Sequence, residues 1–165
     1  MDPAELLADL AHRPVAAARA LPTMDAATLN AHPGGHPNSP AWLLWHAGRQ
    51  LDAQLAALTG AGQIWSAGHR GRLDLGPAGD GIGYGDSPAA AHAIRTADQE
   101  GLVDYLAAVC AAAADYAAGL TPERLGEVVD DSWDPSVTRG VRLVSMLDDA
   151  IAHVAQAAYV AGMAA

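Results

Sequence analysis

Lysine and phenylalanine are both missing from these 165 residues, cysteine occurs once, and aromatic side chains make up only 5%. Without lysine there is no Schiff-base chemistry. All 9 basic residues are arginine against 19 Asp and Glu, and the formal charge of -10 leaves no clustered cationic surface for nucleic acid or an anionic membrane. The lone Cys110 has no partner for an internal disulfide, which suits a reducing cytoplasm. No basic region followed by an apolar run opens the chain, so no signal peptide is expected. No uninterrupted apolar stretch reaches the ~20 residues of a bilayer span. A Gly-x-Ser-x-Gly elbow is also missing, and Ser145 has no credible triad, which leaves serine-hydrolase chemistry without support.

What is present is apolar and well punctuated. Hydrophobic residues make up 51% and charged residues 17%, as expected of one packed domain over 1–165. Asp2-Pro3, Ser39-Pro40, Ser87-Pro88 and Thr121-Pro122 each place a capping side chain before a proline at the first helical position. Thr96 to Gln99 reads as a capping box. Long helices are therefore expected over 3–20 (bent at Pro14), 40–59, 97–119 and 139–162. Shorter turns are expected near 88–94 and 122–127, with one extended piece at Val128-Val129. On the last long helix, Leu143, Leu147, Ala150, Val154 and Ala158 form the apolar stripe. The fold class that follows is all-α, a four-helix bundle with short accessory helices and a long Gly-rich loop over 61–86 between the second and third long helices. Within that loop Gly79–Gly85 resembles a phosphate cradle, but it follows no strand and opens no helix, so a flexible lid is expected instead.

The chemistry concentrates in three side chains. His46 lies in Pro40-Ala-Trp-Leu-Leu-Trp-His46, while Asp149 and His153 stand four apart, on one side of their helix. Singly, His46 reads as a buried histidine with one hydrogen-bond partner, and the other two as a helix-surface pair. Together, two imidazoles and a carboxylate make a common divalent-metal set that leaves coordination positions open, and both segments are too apolar for an unpaired polar group. Zinc suits the set best, with nickel or iron as alternatives. Arg142, about two turns before Asp149, is the candidate to orient a carboxylate on a substrate or cofactor, with a surface ion pair as its other reading. Arg49, one turn after His46, is the second candidate. Trp42 walls the pocket or contacts a cofactor. His32 and His36 flank a turn as solvated loop histidines, and Cys110 reads as a buried thiol.

Asn38 to His46, Gly81-Ile-Gly-Tyr-Gly-Asp-Ser87, Trp133 to Ser145 and Asp148 to Gly162 together resemble the DinB-like superfamily. The likeness is to its actinobacterial branch, related to the metal-binding domain of mycothiol-dependent maleylpyruvate isomerase. The resemblance implies a four-helix bundle holding a divalent metal, with His46 matching the ligand of the second helix and Asp149 and His153 the pair on the fourth. It further implies a thiol-dependent S-transferase or isomerase using mycothiol or a similar low-molecular-weight thiol on a small electrophile. The alternative is a non-catalytic metal-binding or stress-associated interaction protein with the same bundle, and a homodimer is compatible with either.

Overall fold

The computed structural model describes residues 2–163. Four long helices carry the architecture: α1 (Pro3–Arg19), α3 (Pro40–Thr59), α6 (Gln99–Ala118) and α8 (Arg139–Met163). Between them lie the short α2 (Ala26–Leu29), α4 (His69–Leu73), α5 (Pro88–Ala93) and α7 (Pro122–Leu125). A small antiparallel hairpin pairs β1 (Val128–Asp130) with β2 (Val137–Thr138). The expected four-helix bundle is therefore present.

The four proline-marked starts cap as their sequences imply. Asp2 forms a full capping box with Glu5, and Ser39, Ser87 and Thr121 each accept a backbone N–H three residues on. The Thr96 box does not form: Asp98 is the cap of α6 and accepts from the Gly101 amide, while Thr96 Oγ1 accepts from the Asp98 amide. The carboxylate competes better for the exposed helical N–H groups and starts the helix two residues later. Helix α1 continues through the buried Pro14, and Gly60 ends α3 in a left-handed conformation that favours glycine.

Around the bundle the neighbours run α1, α6, α3, α8 and back to α1. Sequence-adjacent long helices α1 and α3 are therefore diagonal, as are α6 and α8. This order sets α3 beside both α6 and α8, and every residue from Ser39 to Asp52 is buried. Helix α3 is covered on both of its faces for that reason. Helix α6 has the length and apolar composition of a membrane span. Its Leu102, Tyr105, Leu106, Val109 and Ala113 are fully buried in the bundle core.

On α8 the buried series is Leu143, Leu147, Ala150, Val154, Ala157 and Ala161, with Met146 beside it; Ala158 is exposed. Steps of four and three alternate, so the seam repeats every 3.5 residues, as wrapped helix pairs require. Gln50 reinforces the α3–α8 contact by donating from Nε2 to the Met146 carbonyl at 3.0 Å in the core. Between α3 and α6 the close approach depends on Gly48, where an added Cβ would lie 2.7 Å from Tyr105 Cε1. Replacing a helical glycine by alanine ordinarily adds about 1 kcal/mol of stability. Here Gly48→Ala is expected to lose about 1–3 kcal/mol, because the Tyr105 ring is itself fully buried and cannot yield. Urea denaturation measures this, and a stabilised variant would contradict the packing described.

Candidate metal centre

Helices α3 and α8 bring the three expected side chains together. His46 Nε2 is 4.0 Å from Asp149 Oδ2, and His153 Nε2 is 3.4 Å from Asp149 Oδ1. The two imidazole rings meet at 4.6 Å, nearly perpendicular at 78°. One ligand-type atom from each residue falls within 4.8 Å of the other two. This donor set fits a divalent cation after a small inward movement, since Zn–N and Zn–O bonds of about 2.1 Å place tetrahedral donors roughly 3.4 Å apart.

Each imidazole is turned by its other nitrogen. His46 Nδ1 faces the Ile82 carbonyl and His153 Nδ1 faces Gln156 Oε1 at 3.2 Å. Nδ1–H donation in both cases directs each Nε2 toward the space beside Asp149, where it can offer a lone pair to a cation or, when protonated, donate to the carboxylate. His46 is 6% exposed and stacks on the Trp42 ring at 4.5 Å and 16°. Trp42 in turn donates from Nε1 to Asp86 Oδ2 at 3.3 Å and presents an edge toward His153. Trp42 thus forms a wall against His46.

Electrostatics separate the two histidines. Burial lowers the His46 pKa, and the Ile82 hydrogen bond and Asp149 only partly offset it. Burial opposes the His153 cation as well, but the hydrogen bond and charge of Asp149 together outweigh it, and its pKa is raised. Asp149 is lowered, first by the hydrogen bond from His153 and against some desolvation. Protonation therefore favours His153, paired with Asp149, over His46.

The segment expected as a flexible lid is a folded wall. Residues 64–66 and 76–80 form tight helical turns on either side of α4. Arg49 and Asp52, both 2% exposed, hold the wall in place. Asp52 accepts the Ile64 and Trp65 amides at 2.9 and 2.8 Å and the Tyr105 hydroxyl at 2.8 Å. Arg49 donates to the carbonyls of Gly81 and Asp80 and to Gln63, and its guanidinium lies over the Trp65 ring. The place proposed for Arg49 at a ligand is therefore corrected: its guanidinium is spent on the protein itself. Trp45 adds a hydrogen bond to the Gly79 carbonyl.

Arg142 also has another partner. Its Nη2 donates to Asp130 Oδ2 of β1 at 2.7 Å, in a cleft of about 440 Å³ shared with Gln54 and Arg139. None of the three converging residues lines that cleft. His153 instead borders a cavity of about 730 Å³ between the last turns of α8 and the segment before α3. His36 and Asn38 stand at its rim and Leu43, Ala155, Tyr159, Val160 and Met163 form its walls. His32 lies ring to ring with His92 at 4.1 Å, away from the centre, and burial pushes the Cys110 thiol up to about 12.

The Ile82 carbonyl, Gly83, Gln156 and Asp52 escaped sequence reasoning. Arg49-x-x-Asp52 within a continuous apolar helix was the available signal for the last, since a charged pair there must be buried together.

The sequence pattern of the DinB superfamily matches residues 8–157. The chain belongs to the DinB superfamily. A crystal structure of a conserved protein of locus from Enterococcus faecalis shares 34% identity with it at a TM-score of 0.85. That likeness covers 98% of this chain and 96% of the other. No curated protein matches this DinB chain.

The close seat of Gly83 gives a test of how the wall orients His46. A Cβ there would lie 2.6 Å from His46 Nδ1, on a backbone with φ of +87° that L side chains disfavour. Gly83→Ala is expected to weaken metal binding about ten- to hundredfold while leaving the helical circular dichroism unchanged. Unaltered affinity in a folded variant would show that this contact does not position the imidazole.

Proposed function

We propose that this DinB-superfamily protein holds a divalent metal through His46, Asp149 and His153. We further propose that it uses the ion for a thiol-dependent S-transfer or isomerisation of a small electrophile, with mycothiol or a similar low-molecular-weight thiol as co-substrate. The observation that carries the metal reading is the convergence of both Nε2 atoms on one carboxylate while both Nδ1 atoms are engaged by oxygen acceptors. Zinc suits two imidazoles and a carboxylate, and nickel and iron accept the same donors. Bound there, the ion supplies Lewis-acid activation, lowering the pKa of a thiol or water that it coordinates. The likeness to the mycothiol-using branch supports the thiol, and a cytoplasmic setting, where such thiols stay reduced, suits the unpaired Cys110.

The chain's own groups have separable tasks. Ile82 and Gln156 fix the ring orientations, Trp42 excludes water from one side of His46, and Asp149 balances the cationic charge. The cavity beyond His153 is the route by which small molecules reach the centre.

Elemental analysis of the purified protein is expected to find about one equivalent of metal, lost in His46→Ala and in His153→Ala with the fold retained. Full loading in either variant overturns the ligand set. Turnover of electrophiles with mycothiol in the loaded protein then decides the transferase reading, and inactivity across a broad panel favours a metal-binding role alone.

The pKa directions set the pH dependence. A raised His153 pKa means that its proton begins to compete with the metal above the ordinary imidazole value of 6.5 and goes on competing below it. His46 and Asp149 are lowered and stay deprotonated further into acid. Affinity is therefore expected to fall by roughly tenfold per pH unit in that window, one proton being released per metal bound. Calorimetry in buffers of different ionisation enthalpy counts the proton, and a release of two would mean that both imidazoles start protonated.

A further inference from the structure

We propose that the cavity beside His153 takes an uncharged small molecule with an apolar body, its polar end directed at His153. The inference rests on the metal-centre reading for that orientation, and on the cavity alone for the class of ligand. Among the described residues no carboxylate or guanidinium lines this space; its ionisable side chains are His153, His36 and Tyr159, and His36 Nδ1 already accepts the Asn38 amide hydrogen. The walls grade from the imidazole of His153 and the amide of Gln156 to Leu43, Ala155, Val160 and Met163. At about 730 Å³ it has the size of a small-molecule site.

The cations that could have anchored an anion stand elsewhere. Arg49 is consumed by the 63–81 wall, and Arg142 and Arg139 face a separate cleft, paired with Asp130 and Glu127. An anionic ligand entering beside His153 would lose its hydration along these walls, and the positive charge nearest to it, an ion held behind His153, is partly offset by Asp149 and lies in the field of a chain carrying -10. The site therefore selects against carboxylated and sulfonated molecules, and an apolar body is what the walls can desolvate.

Two fluorescent probes with the same rings test this: neutral N-phenylnaphthylamine and its sulfonated analogue anilinonaphthalenesulfonate, each titrated into the zinc-loaded protein. The neutral probe is expected to bind at least about tenfold more tightly. Val160→Trp, and the exposed Ala155→Trp as a second variant should the first misfold, are expected to abolish its binding while zinc stoichiometry stays unchanged. Equal or tighter binding of the sulfonate, or neutral binding indifferent to both tryptophans, overturns the proposal. So does a stable dimer that shuts the probe out, which would make a second copy the occupant. A protein that takes up no zinc yet still prefers the neutral probe defeats the metal reading and upholds this one.

Discussion

An arginine and an aspartate buried inside α3 decide where the outer wall of the candidate metal centre lies. Arg49 and Asp52 are one helical turn apart in a segment with no exposed residue, and water cannot satisfy them. Their hydrogen-bonding capacity must be met by protein, and the Gly-rich connection meets it from both ends. Amides of 64 and 65 reach Asp52, and carbonyls of 80 and 81 reach Arg49. Such a pair need not add stability relative to an apolar core, but removing either member typically costs about 3–5 kcal/mol because the other is left charged and buried. Its effect is positional. With residue 81 anchored on Arg49, the next carbonyl falls on His46 Nδ1 and Gly83 closes against the ring.

The second half of the centre depends on bundle order. Because successive long helices lie diagonally in two of the three connections, α8 borders α3, and one turn of α8 delivers both Asp149 and His153 to His46. Side chains on two packed helices lose little further freedom when a ligand arrives, so the cage is largely preorganised. The Gln50 bond to the Met146 carbonyl sits within the same interface and resists sliding of one helix past the other.

Much of this was legible in the residues, and what was not has a physical reason. Ser39, Pro40 and Gly60 bound α3 through local chemistry alone, which is why its limits agree with the sequence to the residue. The Asp149–His153 spacing and the apolar setting of His46 made the cage readable as well. The 61–86 segment was not. Glycine and proline report that a chain can turn, whereas its order comes from hydrogen bonds to a helix at least a dozen residues away in sequence. Arg142 takes its other reading, the ion pair: a helical projection places it on Asp149's side, but the hairpin that supplies Asp130 lies outside any projection of α8. The shift from Ala158 to Ala157 is smaller in kind. It reflects the difference between the 3.6-residue turn of a lone helix and the 3.5-residue repeat of a packed one.

The distribution of charge ties these observations to chemistry. The arginines of α3 and the start of α8 are each committed to an acid or a carbonyl that shapes the fold, so the positive charge that Asp149 meets is that of the imidazoles or of a bound cation. Burial suppresses the charge of His46, while Asp149 draws it onto His153. A proton on His153 and a divalent ion therefore compete for the same carboxylate, and the ion has the advantage of using the His46 lone pair that the proton leaves idle. Asp149 and a protonated His153 form a self-neutralised pair on one turn of α8. The neighbouring cavity can remain apolar beside that pair, because its opposite charges cancel on one turn of the helix that carries both.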